Sequence, residues 1–337
     1  MLRLVAVLLL GSGLSLGPAP AAAQALAPGS RVEFAFTDPD IVESSGLAVD
    51  DSTGESLFVT INDSGDTGRV FIVDPATGDT VGVTTWSTPA GDPVDVEALA
   101  TAGPGEVWVA DIGDNNAVRD SVSVTRVPVG RGDRDVSAVS YELVYPDGAR
   151  DAESLLVDPD GRLLVVTKGL LGGQGLRADA PLDPDGPNAL TTIGVALPIA
   201  TDGAFFPDGR HLVVRGYGSA VVYAYPSLDE VAGFALPDQE QGEGIVVDDS
   251  GEVFLSSEGE GSDVLRVRLP RDVRRAIAPS EPDPEPSGAP TSADVTPQPS
   301  APGADQVDDR SLWRWGVGGV VGLALLLILV RSLRPPG

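Results

Sequence analysis

The sequence predicts an all-β chain folded as a β-propeller, and two observations carry that expectation. A two-strand phrase with an acidic start, an apolar run, a tight turn, a second apolar run and a polar exit recurs at Ser45, Asp95, Asp151, Thr201 and Gln241. Its spacing of about 50 residues is the length of a propeller blade, too long for a leucine-rich or ankyrin repeat. A β-sandwich, the competing all-β arrangement, would not impose a fivefold repeat of one phrase.

The apolar runs that open the phrases, residues 47–49, 98–100, 155–157, 204–206 and 245–247, are too short for helices and read as first strands. Turn chemistry follows them, as Asp-Pro-Asp-Gly from Asp158, Pro-Asp-Gly from Pro207 and Asp-Asp-Ser-Gly from Asp248. Second strands are the β-rich runs 57–61, 107–109, 163–167, 212–214 and 253–255. Third and fourth strands read as 69–73 and 80–86, 121–127 and 137–145, and 220–225 and 230–236. In the middle repeat the Gly- and Pro-rich stretch 170–188 obscures the third strand. The last phrase supplies three strands, ending at 264–269, and residues 31–36 are predicted to complete it by closing the ring. Five blades use the whole body; six is the alternative if the long third blade hides a further hairpin.

With 337 residues, 42% of them hydrophobic, the chain can bury a large core. It has no cysteine, which excludes disulfides and thiolate metal sites. Fifty acidic residues against 22 basic ones give a net charge of -28, which repels a phosphate backbone and excludes nucleic acid as a partner.

Residues 1–25, with Arg3, an apolar run and the small residues Ala21, Ala22 and Ala23, read as a signal peptide, an uncleaved anchor being the alternative. The propeller occupies residues 30–270. Residues 278–311 are rich in Pro, Ser, Ala and acids, a disordered stalk by composition. Residues 312–330 are almost wholly apolar and would span roughly 28 Å as a helix, about one hydrocarbon core. Trp313 and Trp315 would form the aromatic belt, and Arg331 and Arg334 lie in a cytoplasmic tail, 331–337. The expected arrangement is a single-pass protein of the cell membrane with its propeller outside the cytoplasm.

In a propeller the starts of first strands and the ends of second strands share one face, and the short hairpins mark the other. The first face is predicted to collect Glu97, Glu153, Asp202 and Glu243 at first-strand starts, with Ser45 in the first repeat and Asp95, Asp151 and Gln241 two residues upstream. Second-strand ends add Asn62, Asp63, Asp111, Asp114, Asn115, Lys168, Arg215 and Glu258. Converging carboxylates repel one another unless protonated, paired or metal-bound. Oxygen ligands without Cys or His suit a hard cation, Ca²⁺ before Mg²⁺, and Glu97, Glu153, Glu243 and Asp202 are its candidate ligands. The alternative is that these carboxylates cap strands and pair with Lys168 and Arg215. Lys168, Arg215, Asp63, Asp111, Asp114 and Glu258 are candidate contacts for a further ligand, Lys168 and Arg215 supplying the positive charge for an anionic one. His211, the only histidine, follows a hairpin and belongs near the opposite face, so a histidine-dependent triad is not expected.

These phrases resemble the secreted bacterial propellers grouped with the SdiA-regulated family and with proteins named "esterase-like activity of phytase". The matching residues are Asn62-Asp63-Ser64-Gly65, Asp95-Val96-Glu97, Asp111-Ile112-Gly113-Asp114-Asn115, Asp151-Ala152-Glu153, Pro207-Asp208-Gly209-Arg210 and Gln241-Gly242-Glu243. The resemblance implies an extracytoplasmic propeller with calcium. The more distant phytase-like propellers imply a metal-dependent phosphoesterase, for which this chain offers two basic groups on the predicted face. A ligand-binding or scaffolding module is the leading functional expectation, and the hydrolase is its alternative.

Overall fold

Apolar runs separated by Asp-Gly turns build a ring of antiparallel sheets in the computed structural model, which describes residues 29–278 apart from positions 64 and 66. Strand β1 (Arg31–Ala35) comes first. An antiparallel meander follows, β2 (Ser44–Asp50), β3 (Leu57–Asn62), β4 (Arg69–Asp74) and β5 (Asp79–Ser87). Next are β6 (Val96–Gly103), β7 (Glu106–Asp111) and β8 (Val122–Pro128), then β9 (Arg134–Ser137) and β10 (Ser140–Val144). The sequence predicts one strand over 137–145, but the structure splits this region. Strand β9 pairs in parallel with β5, Trp86 opposite Val136, while β10 pairs with β8, Tyr141 opposite Val124.

The middle repeat forms β11 (Ala152–Val157), β12 (Leu163–Thr167), β13 (Gly173–Ala178) and β14 (Asn188–Ala196). Strand β13 is the one its glycines obscured. Gly173 and Gly175 lie where a Cβ would strike the Thr167 carbonyl or the Leu228 side chain, so these glycines serve close packing inside a strand. Two parallel pairs, Leu143 with Asn188 and Val144 with Ala189, join β10 to β14 and make one eight-stranded sheet of this repeat and the one before. Then come β15 (Asp202–Phe205), β16 (His211–Arg215), β17 (Ser219–Ala224) and β18 (Asp229–Ala235).

The last sheet holds β19 (Ile245–Val247), β20 (Val253–Leu255), β21 (Asp263–Val267) and, at its outer edge, β1. Strand β1 pairs with β21 from Arg31–Arg266 to Ala35–Asp263, as residues 31–36 were expected to do. This covers an edge that would otherwise invite association. Phe34 of β1 packs edge-on against Phe58 at 5.1 Å, and Phe58 against Phe254 at 5.1 Å, so aromatic rings lock the last sheet to the first. Helix α1 (Arg271–Ala276) follows and buries Val273 in the core between β18 and the last sheet. The folded body therefore continues beyond Pro270.

Strands β2, β6, β11, β15 and β19 touch in chain order, and β19 returns to β2. Apolar clusters fill the space between consecutive sheets, such as Ile61, Val70 and Trp86 against Leu99 and Val109. Each inner strand has a small residue directly after its Ser, Glu or Asp: Gly46, Ala98, Ser154, Gly203 and Gly244. A Cβ on Gly46 would stand 2.8 Å from the Leu99 backbone nitrogen, and one on Gly244 3.0 Å from Leu47 Cβ. The inner strands converge too closely there for larger side chains.

At the opposite end of the inner strands, Asp50, Asp158, Asp208 and Asp248 each accept a hydrogen bond from the backbone N–H two residues on, closing the hairpins. The sequence suggests a featureless face here. Instead a cavity of about 830 Å³ opens among these turns, lined by inner-strand residues including Leu99, Leu155 and Val247. No described helix is long and apolar enough to cross a membrane. The expected signal peptide (1–25), stalk (from 279 on), membrane span (312–330) and tail (331–337) lie outside the described residues.

Candidate metal and ligand site

The mouth of the ring, where inner strands begin, is built by two kinds of loop. One leads into each inner strand and the other leaves each second strand. Side-chain caps shape both. Asn62 Oδ1 accepts the N–H groups of Val42 and Glu43 at 3.1 and 3.2 Å. Asp111 accepts those of Val94 and Asp95, both at 3.0 Å, and pairs with Arg119 at 2.7 Å. Asp114 accepts those of Val118 and Arg119 at 3.0 and 2.8 Å. Asp111 and Asp114, expected as ligand contacts, thus spend their oxygens on the loops.

Asp95 lies just before β6, and Glu97 stands at a register shift between Val96 and Ala98, where both carboxylates reach the mouth. Asp63, from the end of β3, meets them. One carboxylate oxygen from each of Asp63, Asp95 and Glu97 lies within 4.8 Å of the others. Of the four carboxylates expected as metal ligands, only Glu97 belongs to this group. Asp63 was expected as a ligand contact, and Asp95 was expected at the mouth without a role; its spacing from Glu97 was the available signal.

Burial pushes the Glu97 carboxyl up to about 10, with further repulsion from Glu153, Asp63 and Asp95 against the pull of Lys168. Asp95 is also raised, first by burial and then by Asp63 and Asp151. Beneath them runs Gly113, at the end of the second strand of the same repeat. A Cβ there would stand 2.6 Å from Glu97 Oε1 and overlap the Asp95 carboxylate.

Glu153 is engaged differently: Lys168 Nζ donates to its Oε1 at 2.5 Å. Burial still pushes Glu153 up to about 8 against the bond from Lys168, because Glu243 and Asp151 repel it as well. Burial works against the charge on Lys168, yet its hydrogen bond to Glu153 holds the ammonium above the ordinary lysine range. Its Nζ also lies 5.8 Å from the centre of the Tyr217 ring. Glu243 is raised by burial, while Lys168, Arg215 and a Tyr217 hydrogen bond favour its ionised form. Glu258, bonded by Gln241 Nε2 at 2.7 Å, is pushed up to about 7 by burial and then by Glu243, Asp63 and Glu43.

Asp202 and Arg215 lie deeper. Asp202 accepts backbone N–H bonds from Gly203 at 2.7 Å and Ile245 at 2.8 Å, and complete burial raises it well above the carboxylate range. Arg215 is fully buried, and Nη1 donates to the carbonyls of Gly244 at 2.9 Å and Ser256 at 3.3 Å. Burial lowers its pKa to about 10. Both were expected to face a ligand; in the structure both tie the fourth and fifth inner strands together. His211 sits on a hairpin as expected, its Nδ1 2.6 Å from Asp208 Oδ2.

No protein-family model matches the chain, and no curated protein matches it. The resemblance to the SdiA-regulated propellers therefore stands on the quoted motifs alone. Among solved structures, the chain is similar to virginiamycin B lyase from Staphylococcus aureus, at 13% identity over 69% of each chain and a TM-score of 0.38. It is similar also to a glucose dehydrogenase, at 13% identity over 68% of this chain and 83% of that one, with a TM-score of 0.40. Likeness this distant carries no inference about chemistry.

Proposed function

We propose that this chain is a five-bladed, ligand-binding propeller whose mouth holds a hard divalent cation, calcium before magnesium. The observation that carries the cation is the convergence of Asp63, Asp95 and Glu97 to within 4.8 Å. Three carboxylates with no nitrogen or sulfur donor form an oxygen site, and backbone carbonyls or water would complete a calcium shell. A cation would offset the burial and the repulsion that raise Glu97 and Asp95, and its binding would release the proton from Glu97. The sequence supports an extracytoplasmic body carried on the stalk 278–311 and anchored by residues 312–330, where calcium at high concentration would keep such a site filled.

A phosphoesterase is the second reading, supported by Lys168, a half-buried cation close to the carboxylate group. Arg215, its expected partner in neutralising a phosphate, is fully buried and committed to backbone carbonyls. That leaves Lys168 alone of the two at the mouth, and already paired with Glu153, which supports recognition better than hydrolysis.

The test is calorimetric titration of the protein with CaCl₂, paired with thermal melting in calcium and in chelator. Binding should raise the melting temperature by mass action. Asp95→Asn and Glu97→Gln should each lose both signals, whereas Asp202→Asn should weaken the fold without removing the calcium response. A parent protein whose melting does not respond to calcium has no site here.

A further inference from the structure

Of the nine large apolar side chains exposed among the described residues, six, Val42 among them, border one face of the ring, while Val32, Val139 and Val195 lie on or between outer strands. Val94 leads into β6, Val118 leaves β7, Leu170 and Leu171 leave β12, and Tyr217 leaves β16; by topology all of these loops border the mouth. Leu170 is 83% exposed and Leu171 fully so, and no hairpin between a first and a second strand carries a comparable side chain. Exposed apolar groups concentrated on one face mark an interaction surface. The same face is negative. Glu43, Glu243 and Asp63 each stand close enough to Glu258 at the mouth to repel it, and Lys168 is already committed to Glu153.

We propose that this face docks a protein segment that presents a lysine or arginine between apolar side chains, the cation entering the carboxylate mouth and its neighbours packing on Leu170, Leu171 and Val118. Charge complementarity selects this occupant. A surface of anionic lipid would be repelled by the carboxylates, and a second copy of a chain with net charge -28 would bring like charge to like. The apolar rim supplies contact area, and the acids supply orientation and exclude acidic competitors. The inference rests on the reading of the mouth as a recognition face, and calcium bound at Asp63, Asp95 and Glu97 would weaken the docking of the cation.

Selection of a random twelve-residue peptide library on the immobilised full chain tests it. Enriched sequences should carry Lys or Arg beside Leu, Ile, Phe or Trp. An enriched peptide should bind at least tenfold more weakly to Leu170→Ser/Leu171→Ser, and its affinity should fall as salt rises. Both leucines are exposed, so this variant should melt like the parent and keep the parent's response to calcium. A missing calcium response in the parent would remove the metal reading and leave the peptide result standing. Enrichment of acidic or uncharged peptides, no enrichment, or equal peptide binding by the double variant would overturn the proposal. So would binding to phosphatidylglycerol vesicles, or self-association, that the double variant abolishes.

Discussion

Lys168 donates to Glu153 at 2.5 Å, and this ion pair leaves the neighbouring Glu97 with no direct cationic partner among the described residues. The difference sets the order in which the mouth ionises. Lys168 favours charge on Glu153, so Glu97 is the later of the two to ionise, and the carboxylates titrate as a coupled set.

A pH dependence follows. Glu97 rises from its ordinary 4.5 to about 10 in the folded protein, so the folded state binds this proton more tightly than the unfolded chain does. The stability it contributes is complete below about pH 4.5 and is lost as the pH rises through about 10. In chelator, the melting temperature of the parent should therefore fall between pH 5 and pH 9. Glu97→Gln should flatten that slope and raise stability at pH 7 by up to about 3 kcal/mol, since each tenfold change in proton affinity is worth about 1.4 kcal/mol. Equal slopes for the two proteins would show that Glu97 does not hold the proton.

Arg215 separates a structural cation from a ligand-binding one. Its guanidinium bridges the Gly244 and Ser256 carbonyls from a fully buried position. Arg215→Met would leave those carbonyls unpaired beside Asp202 and Glu243. Loss of about 3 kcal/mol or more in urea unfolding is expected, since removing one member of a buried charged network costs this much. Arg215→Lys should recover only part of it, because an ammonium on a shorter reach cannot reproduce the fork. A ligand-binding arginine would give the reverse result, unchanged stability and weaker binding of anions.

The repeat, the hairpins and the closing strand were legible because their signals are local. Asp158-Pro159-Asp160-Gly161 specifies its turn through bonds within four residues. The closing strand was legible by subtraction, since the last phrase lacked a strand and residues 31–36 had no other sheet. What escaped was contact between repeats. Nothing within residues 134–144 tells that half of this stretch pairs with β5 and half with β8. The depth of a side chain escaped as well. Asp202 and Arg215 face each other inside the ladder of their repeat, whereas Glu153 stands at a register shift and Lys168 lies just past the end of β12, so one pair ties inner strands together below the mouth and the other lines it. The grouping of Asp63 with Asp95 and Glu97 depends on how the end of one sheet meets the start of the next, a relation between repeats.

The geometry of that group rests on a glycine. Gly113 has an ordinary backbone conformation, so alanine there would add no backbone strain; its Cβ would stand 2.6 Å from Glu97 Oε1 and press into the Asp95 carboxylate. Both obstacles are the ends of side chains, which can swing aside at small cost to the fold. Swinging aside separates the oxygens that a shared cation needs together. Gly113→Ala should thus leave stability in chelator within about 1 kcal/mol of the parent, the low end of what overpacking costs. Calcium affinity should fall about tenfold or more, a loss of about 1.4 kcal/mol, and the calcium-dependent rise in melting temperature should shrink with it. Destabilisation in chelator with unchanged calcium affinity would mean that Gly113 serves packing alone and that the cation binds elsewhere.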